Sequence, residues 1–133
     1  RRIVYQGCDD PEDSHFTGLQ KLGEELSEMR DINGQLYDVT ALPWPEATYG
    51  VDGERLPLGY ANFLTCNQHI LFPTYGVPQD EAALACIAAV AADFTIVPIN
   101  CRALVQQYGS LHCATMQIPR ASASAGDNRD QQQ

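Results

Sequence analysis

Cys113 lies in the run Tyr108-Gly109-Ser110-Leu111-His112-Cys113-Ala114-Thr115-Met116-Gln117-Ile118-Pro119. A thiolate is the strongest nucleophile among ordinary side chains, and its surroundings decide how much of it exists at neutral pH. A cysteine just past a glycine, on a short strand, sits where the backbone leaves room for a substrate. Without other information the same residue types favour an inert core thiol, because free cysteine is among the most buried residues. The remaining cysteines, Cys8, Cys66, Cys86 and Cys101, form no CxxC pair and no Cys/His cluster with zinc spacing. Cys86 falls in an alanine-rich helical run and Cys66 in a strand-like run, so both are expected to be small core residues. An odd set of unpaired thiols points to a reducing compartment, hence to the cytoplasm. No metal site and no cofactor are expected.

Other polar residues have simpler uses. His112 adjoins Cys113, but neighbours on a strand face opposite ways, so His112 is expected to point away from the thiol. His69 is expected at an exposed hairpin, and His15 near a helix cap. The acidic loop from Cys8 to Asp13 lacks the spacing of a calcium loop, and Asp13 or Ser14 is expected to cap the next helix. Asn62 alternates with Ala61 and Phe63, so both a place at a central site and a structural hydrogen bond are open to it. Asp80 and Glu81 read as first-turn residues that complement a helix dipole. For Trp44 two roles stand level, lining a substrate pocket or covering the edge of a core.

The elements that must position these groups follow from periodicity. Residues 2–7 read as a buried strand. Phe16, Leu19, Leu22, Leu26 and Met29 fall at helical spacing over about 14–29, and Asn33-Gly34 ends that helix in a turn. A strand follows over 36–42, then a long loop over 43–57, a length often associated with function. Strands over 60–66 and 69–73 flank Asn67-Gln68, a two-residue hairpin turn. Pro78 to Asp80 opens a small-residue helix through Val90. A strand over 94–99, helical turns over 101–107 and a last strand over 111–118 complete the order. The tail, 120–133, has no apolar pattern and is expected to be disordered.

The 133 residues are 44% hydrophobic and 19% charged, the profile of one globular domain, and the order of strands and helices makes its expected class α/β (α+β). No apolar run reaches the ~20 residues needed to span a bilayer, so no membrane partner is expected. A net charge of −9 opposes binding to nucleic acid and attracts a cationic ligand. The order βαβ, loop, ββαβ, short helix, β contains one compact ββαβ module. The first unit looks like the end of a similar module and the last strand like the start of another, as in a slice through a repeating architecture. The chain does not begin with Met, so truncation or processing upstream is expected.

Three segments, Leu58-Gly59-Tyr60-Ala61-Asn62-Phe63, Val77-Pro78-Gln79-Asp80-Glu81-Ala82-Ala83 and Gly109 to Pro119, resemble in order and separation those of the agmatine deiminase and bacterial peptidylarginine deiminase family. That family belongs to the guanidino-group-modifying, pentein superfamily, and the match covers roughly residues 3–119. The resemblance implies a pentein-type β/α propeller of five ββαβ modules, only about two of which are present here. Residues 1–119 would then be a partial pentein. It implies that Cys113 is the nucleophile and that a small cationic guanidino substrate is hydrolysed to ammonia and a ureido product. The family's Gly-His-Val-Asp-like string, which carries the acid–base histidine and a guanidinium carboxylate, is absent from this sequence. The chain is therefore expected to be a C-terminal portion with a missing N-terminal half, inactive by itself. Ser110 stands where the agmatine-type motif has Asn, and Met116 where it has Gln, which leans toward the peptidylarginine deiminase branch. The alternatives are a stand-alone, non-catalytic homo-oligomeric module and an amidinotransferase relative.

Overall fold

The computed structural model describes residues 1–118. The tail at 120–133 lies outside the described residues. Two small sheets carry the fold. In the first, β1 (Arg2–Gln6) pairs in parallel with β2 (Asp38–Leu42), joined through α1 (Phe16–Glu28). In the second, β3 (Leu64–Cys66) and β4 (His69–Thr74) form an antiparallel hairpin, and β5 (Thr95–Asn100) pairs in parallel with β4 after α2 (Asp80–Val90). The expected ββαβ module is thus present as β3, β4, α2 and β5. Asn67 takes the left-handed conformation at the hairpin with φ of 53°, which asparagine tolerates better than most residues.

Helix α2 packs against both β2 and β5 and so joins the two sheets. Its small residues allow this close approach: Ala83 and Ile87 are buried on the face turned to the core. The core gathers Leu42, Tyr60, Ile70, Phe72, Ile87 and Val105 around that helix. Helix α1 is different, because none of its residues is fully buried. It lies against β1 at Gly23, where any Cβ would run into the Tyr5 hydroxyl. Among the described residues no helix is long and apolar enough to cross a membrane.

Three expectations need correction. The strand expected over 60–66 begins only at Leu64, because the backbone before it is committed elsewhere: Tyr60 N–H donates to Gln6 Oε1 at 2.7 Å, and Asn62 N–H turns back to Gly59 O at 3.1 Å. The strand expected over 111–118 is not formed. His112–Ala114 is instead a short 3-10 turn, followed by extended but unpaired residues. Cys66, expected in the core, is exposed at the hairpin, while Cys86 is half-buried.

Candidate functional site

The 3-10 turn holds Cys113 at the surface. Its start is fixed from inside the protein. Ser110 is 2% exposed, and its Oγ lies 2.7 Å from the Tyr75 hydroxyl. That hydroxyl donates to Gly59 O at 2.9 Å, so Ser110 must be the donor between the two. Leu111 is buried in the core beside it. The side chain of Ser110 therefore faces the interior, whereas Met116 is 85% exposed.

From that anchor the chain turns outward. Gly109 leaves the needed space, since a Cβ there would lie 3.3 Å from the Cys113 Cβ. His112 N–H donates to both the backbone and the side-chain oxygen of Asn62, at 3.1 and 2.7 Å. Cys113 N–H reaches the same side-chain oxygen at 3.3 Å, and Asn62 Nδ2 donates to Cys113 Sγ at 3.2 Å. His112 and Cys113 share a turn rather than a strand, so strand alternation does not orient His112. Asn62's two open roles both find a contact here: its oxygen accepts structural hydrogen bonds from the turn amides, and its nitrogen touches the thiol.

These contacts act on ionisation. The backbone amide of Ser110 and then the Asn62 side chain hold the Cys113 thiol below its ordinary pKa, with desolvation opposing them. The thiols of Cys8, Cys86 and Cys101 are all pushed up, first by burial. Cys113 is thus the exposed sulfur whose surroundings favour the anion.

The long loop approaches this turn from one side. Tyr108, left-handed with φ of 60°, donates its hydroxyl to Asp52 Oδ2 at 2.5 Å. That bond, with Asp52 favouring the neutral phenol, pushes Tyr108 up to about 12.

A second polar centre lies elsewhere. Asp13 accepts from the His15 backbone N–H at 2.9 Å and pairs with His15 Nδ1 at 2.8 Å. It also accepts from Trp44 Nε1 at 2.9 Å and pairs with Arg55 at 2.6 Å. Arg55 in turn lies 5.2 Å from the Trp44 ring centre. Trp44, Arg55 and Leu58 line a cleft of about 200 Å³, and Cys113 is not part of its wall. Trp44 thus lines a pocket, but one separate from the thiol. Asp13 stands at the start of α1 without serving as its N-cap, since His15 holds that position. Nothing local in the sequence links Asp13 to Trp44 and Arg55, so their meeting was not visible there. Among the described residues no group of three or more His, Cys, Asp or Glu could hold a metal ion.

Asp13 gives a pH dependence. The His15 amide, then the His15, Trp44 and Arg55 side chains, hold its carboxyl well below the usual range, against the effect of burial. In the unfolded chain it titrates near ~3.9. Above that value both states are ionised and the stabilisation is complete. As pH falls below ~4 the unfolded chain takes up the proton first, and stability is lost progressively toward the lower folded value. Urea midpoints measured from pH 7 down to pH 2 should fall less steeply below pH 4 for Asp13→Asn than for wild type. Equal slopes would refute this role of Asp13.

The family described as Porphyromonas-type peptidyl-arginine deiminase matches residues 1–119. A solved structure of a provisionally named arginine deiminase from Porphyromonas gingivalis superposes with a TM-score of 0.84 at 44% identity, covering 90% of this chain and 35% of that one. The structure of C. jejuni agmatine deiminase gives 0.74 at 33% identity, covering 84% and 33%. A provisionally named agmatine deiminase of Legionella pneumophila is 33% identical over 113 residues, which is 84% of this chain and 32% of the relative. The mixed α/β arrangement of small sheets and few helices matches these structures, and the chain spans roughly a third of each relative's length.

Proposed function

The chain belongs to the Porphyromonas-type peptidyl-arginine deiminase family, and from that premise we propose that it is the nucleophile-bearing part of a hydrolase that deiminates a guanidino substrate. The observation that carries this is the Cys113 thiol, exposed on a braced turn and biased toward its anion by amide donors. The fold we propose for the complete enzyme is a pentein propeller of five modules, with β3, β4, α2 and β5 as one of them.

The chemistry follows from the substrate. A guanidinium carbon is a poor electrophile because resonance spreads its charge, so carboxylates must grip the cation and hold it in place. Cys113 Sγ then attacks that carbon and forms a C–S bond. The C–N bond breaks, and ammonia leaves with a proton delivered by a general acid. Water, deprotonated by the same group, attacks the amidino carbon, and the C–S bond breaks to return the thiolate and a ureido product. The acid–base histidine of this scheme is not among these 133 residues, where no histidine is followed two positions on by aspartate. Agmatine and arginine side chains are the substrates suggested by the relatives' names.

The test is ammonia release from agmatine and from an arginine peptide, by this chain and by a longer polypeptide that includes a His-x-Asp segment. The longer polypeptide should turn over one of them and the 133-residue chain neither. Robust turnover by the short chain would refute the assignment of the acid–base group to another segment.

A further inference from the structure

Resting on the role of Cys113 proposed above, we infer that Tyr75 is a positioning residue of the nucleophile, acting through Ser110: one buried hydroxyl ties the turn that bears the sulfur to the turn at Gly59. The bonding of that hydroxyl is complete. A phenol has one O–H and two lone pairs. The O–H goes to Gly59 O at 2.9 Å, and the lone pairs take the Gly59 N–H at 3.3 Å and the Ser110 hydroxyl at 2.7 Å. Tyr75 and Ser110 are both 2% exposed, so solvent offers neither hydroxyl a substitute partner. Tyr75 itself is held firmly. Its backbone N–H donates to both carboxylate oxygens of Asp80, at 3.1 and 3.0 Å, just past the end of β4. Its ring centre lies 5.6 Å from that of the fully buried Tyr60.

At Ser110 this grip reaches the chemistry. Its carbonyl accepts the Ala114 N–H at 3.2 Å, which closes the backbone around Cys113. Its amide is the foremost of the donors that favour the Cys113 anion. One residue thus sends its side chain into the core and its backbone to the sulfur. Freed from Tyr75, residue 110 no longer holds its amide firmly against the thiol. The titratable groups on the elements around the turn are His112, Tyr108 with its partner Asp52, Tyr60, Cys66 and the buried Cys101. None of them is among the causes that lower the thiol. A change in the Cys113 titration therefore reports the aim of its neutral donors.

The experiment is alkylation of the 133-residue chain by iodoacetamide from pH 6 to pH 10, with each cysteine followed by peptide mass spectrometry. Cys66, also exposed, serves as the internal reference. Wild-type Cys113 should react with a lower midpoint pH than Cys66. Ser110→Ala cuts the tether but leaves Tyr75 both of its bonds to Gly59, so no buried polar group is stranded. Its Cys113 midpoint should rise by about half a pH unit or more, which is roughly threefold slower reaction at pH 7, while Cys66 stays put. Tyr75→Phe should raise the midpoint at least as far, and the double variant no further than Tyr75→Phe alone, because the two groups share one bond. If Tyr75→Phe melts early, Ser110→Ala decides by itself. An unchanged Cys113 profile in Ser110→Ala, an equal shift of Cys66, or additive shifts in the double variant each overturn the role of Tyr75. A wild-type Cys113 no more reactive than Cys66 at any pH overturns its role as nucleophile, and this inference with it.

Discussion

Cys113→Ser in the complete enzyme should lower guanidino hydrolysis by about three orders of magnitude or more, because the attacking anion is lost and the remaining groups have no covalent partner. That is a barrier increase of at least ~4 kcal/mol. Serine is close to cysteine in shape, and the thiol is exposed, so the urea midpoint should move by less than ~0.5 kcal/mol of stability. The pairing of a large catalytic loss with no loss of fold separates a nucleophile from a packing residue. Cys101→Ser supplies the contrast. Cys101 is 1% exposed and its thiol is pushed up by burial, so replacing it should cost stability and leave chemistry in the surviving folded fraction intact. Activity in Cys113→Ser above about a hundredth of wild type would end the covalent mechanism, since a serine hydroxyl is a far weaker nucleophile than the thiolate it replaces.

The same turn shows where sequence patterns stop being informative. Alternating residues over 111–118 resemble a strand, yet a strand exists only if its amides find a ladder. Here the amides of His112 and Cys113 are both taken by Asn62, fifty residues earlier in the chain. Ser110 and Leu111 turn inward to Tyr75 and the core, which leaves the next residues no sheet to join. The module from β3 to β5 was legible because its signals are local. Asn67-Gln68 sets the hairpin, and the small residues of α2 demand a buried face. At Gly109 the sequence suggested room for a substrate beside a strand, whereas the structure shows a turn in which the glycine lies close against the Cys113 side chain itself. Asp13, Trp44 and Arg55 were not, because their contacts depend on how the long loop folds over the start of α1.

Asp80 carries the second large effect, and it exceeds what a helix-dipole residue would show. Its Oδ1 accepts from the Tyr60 hydroxyl at 2.7 Å, and Oδ2 from the amides of Tyr75, Gly76 and Val77 at 3.0, 2.7 and 3.3 Å. One carboxylate therefore closes the turn between β4 and α2, where Gly76 takes φ of 73°, and also satisfies a phenol with no access to water. Asp80→Ala removes every one of these acceptors. The stranded Tyr60 hydroxyl alone costs ~1–3 kcal/mol, and the lost charge-assisted bonds bring the total to about 3–5 kcal/mol. Asp80→Asn keeps an oxygen toward the turn amides and turns its NH2 to Tyr60, so it should cost less, about 1–2 kcal/mol. Urea denaturation of the three proteins checks the order. A cycle with Tyr60→Phe adds a second criterion: once the hydroxyl is gone, Asp80→Ala should cost less by roughly 1 kcal/mol or more, because the two groups share one bond. Additive losses would mean that Asp80 acts only on its own helix. Since Tyr60 and Tyr75 also fix the Gly59–Asn62 turn, a non-additive cycle should come with faster proteolysis between Tyr108 and Thr115, linking this half-buried carboxylate to the placement of the thiol.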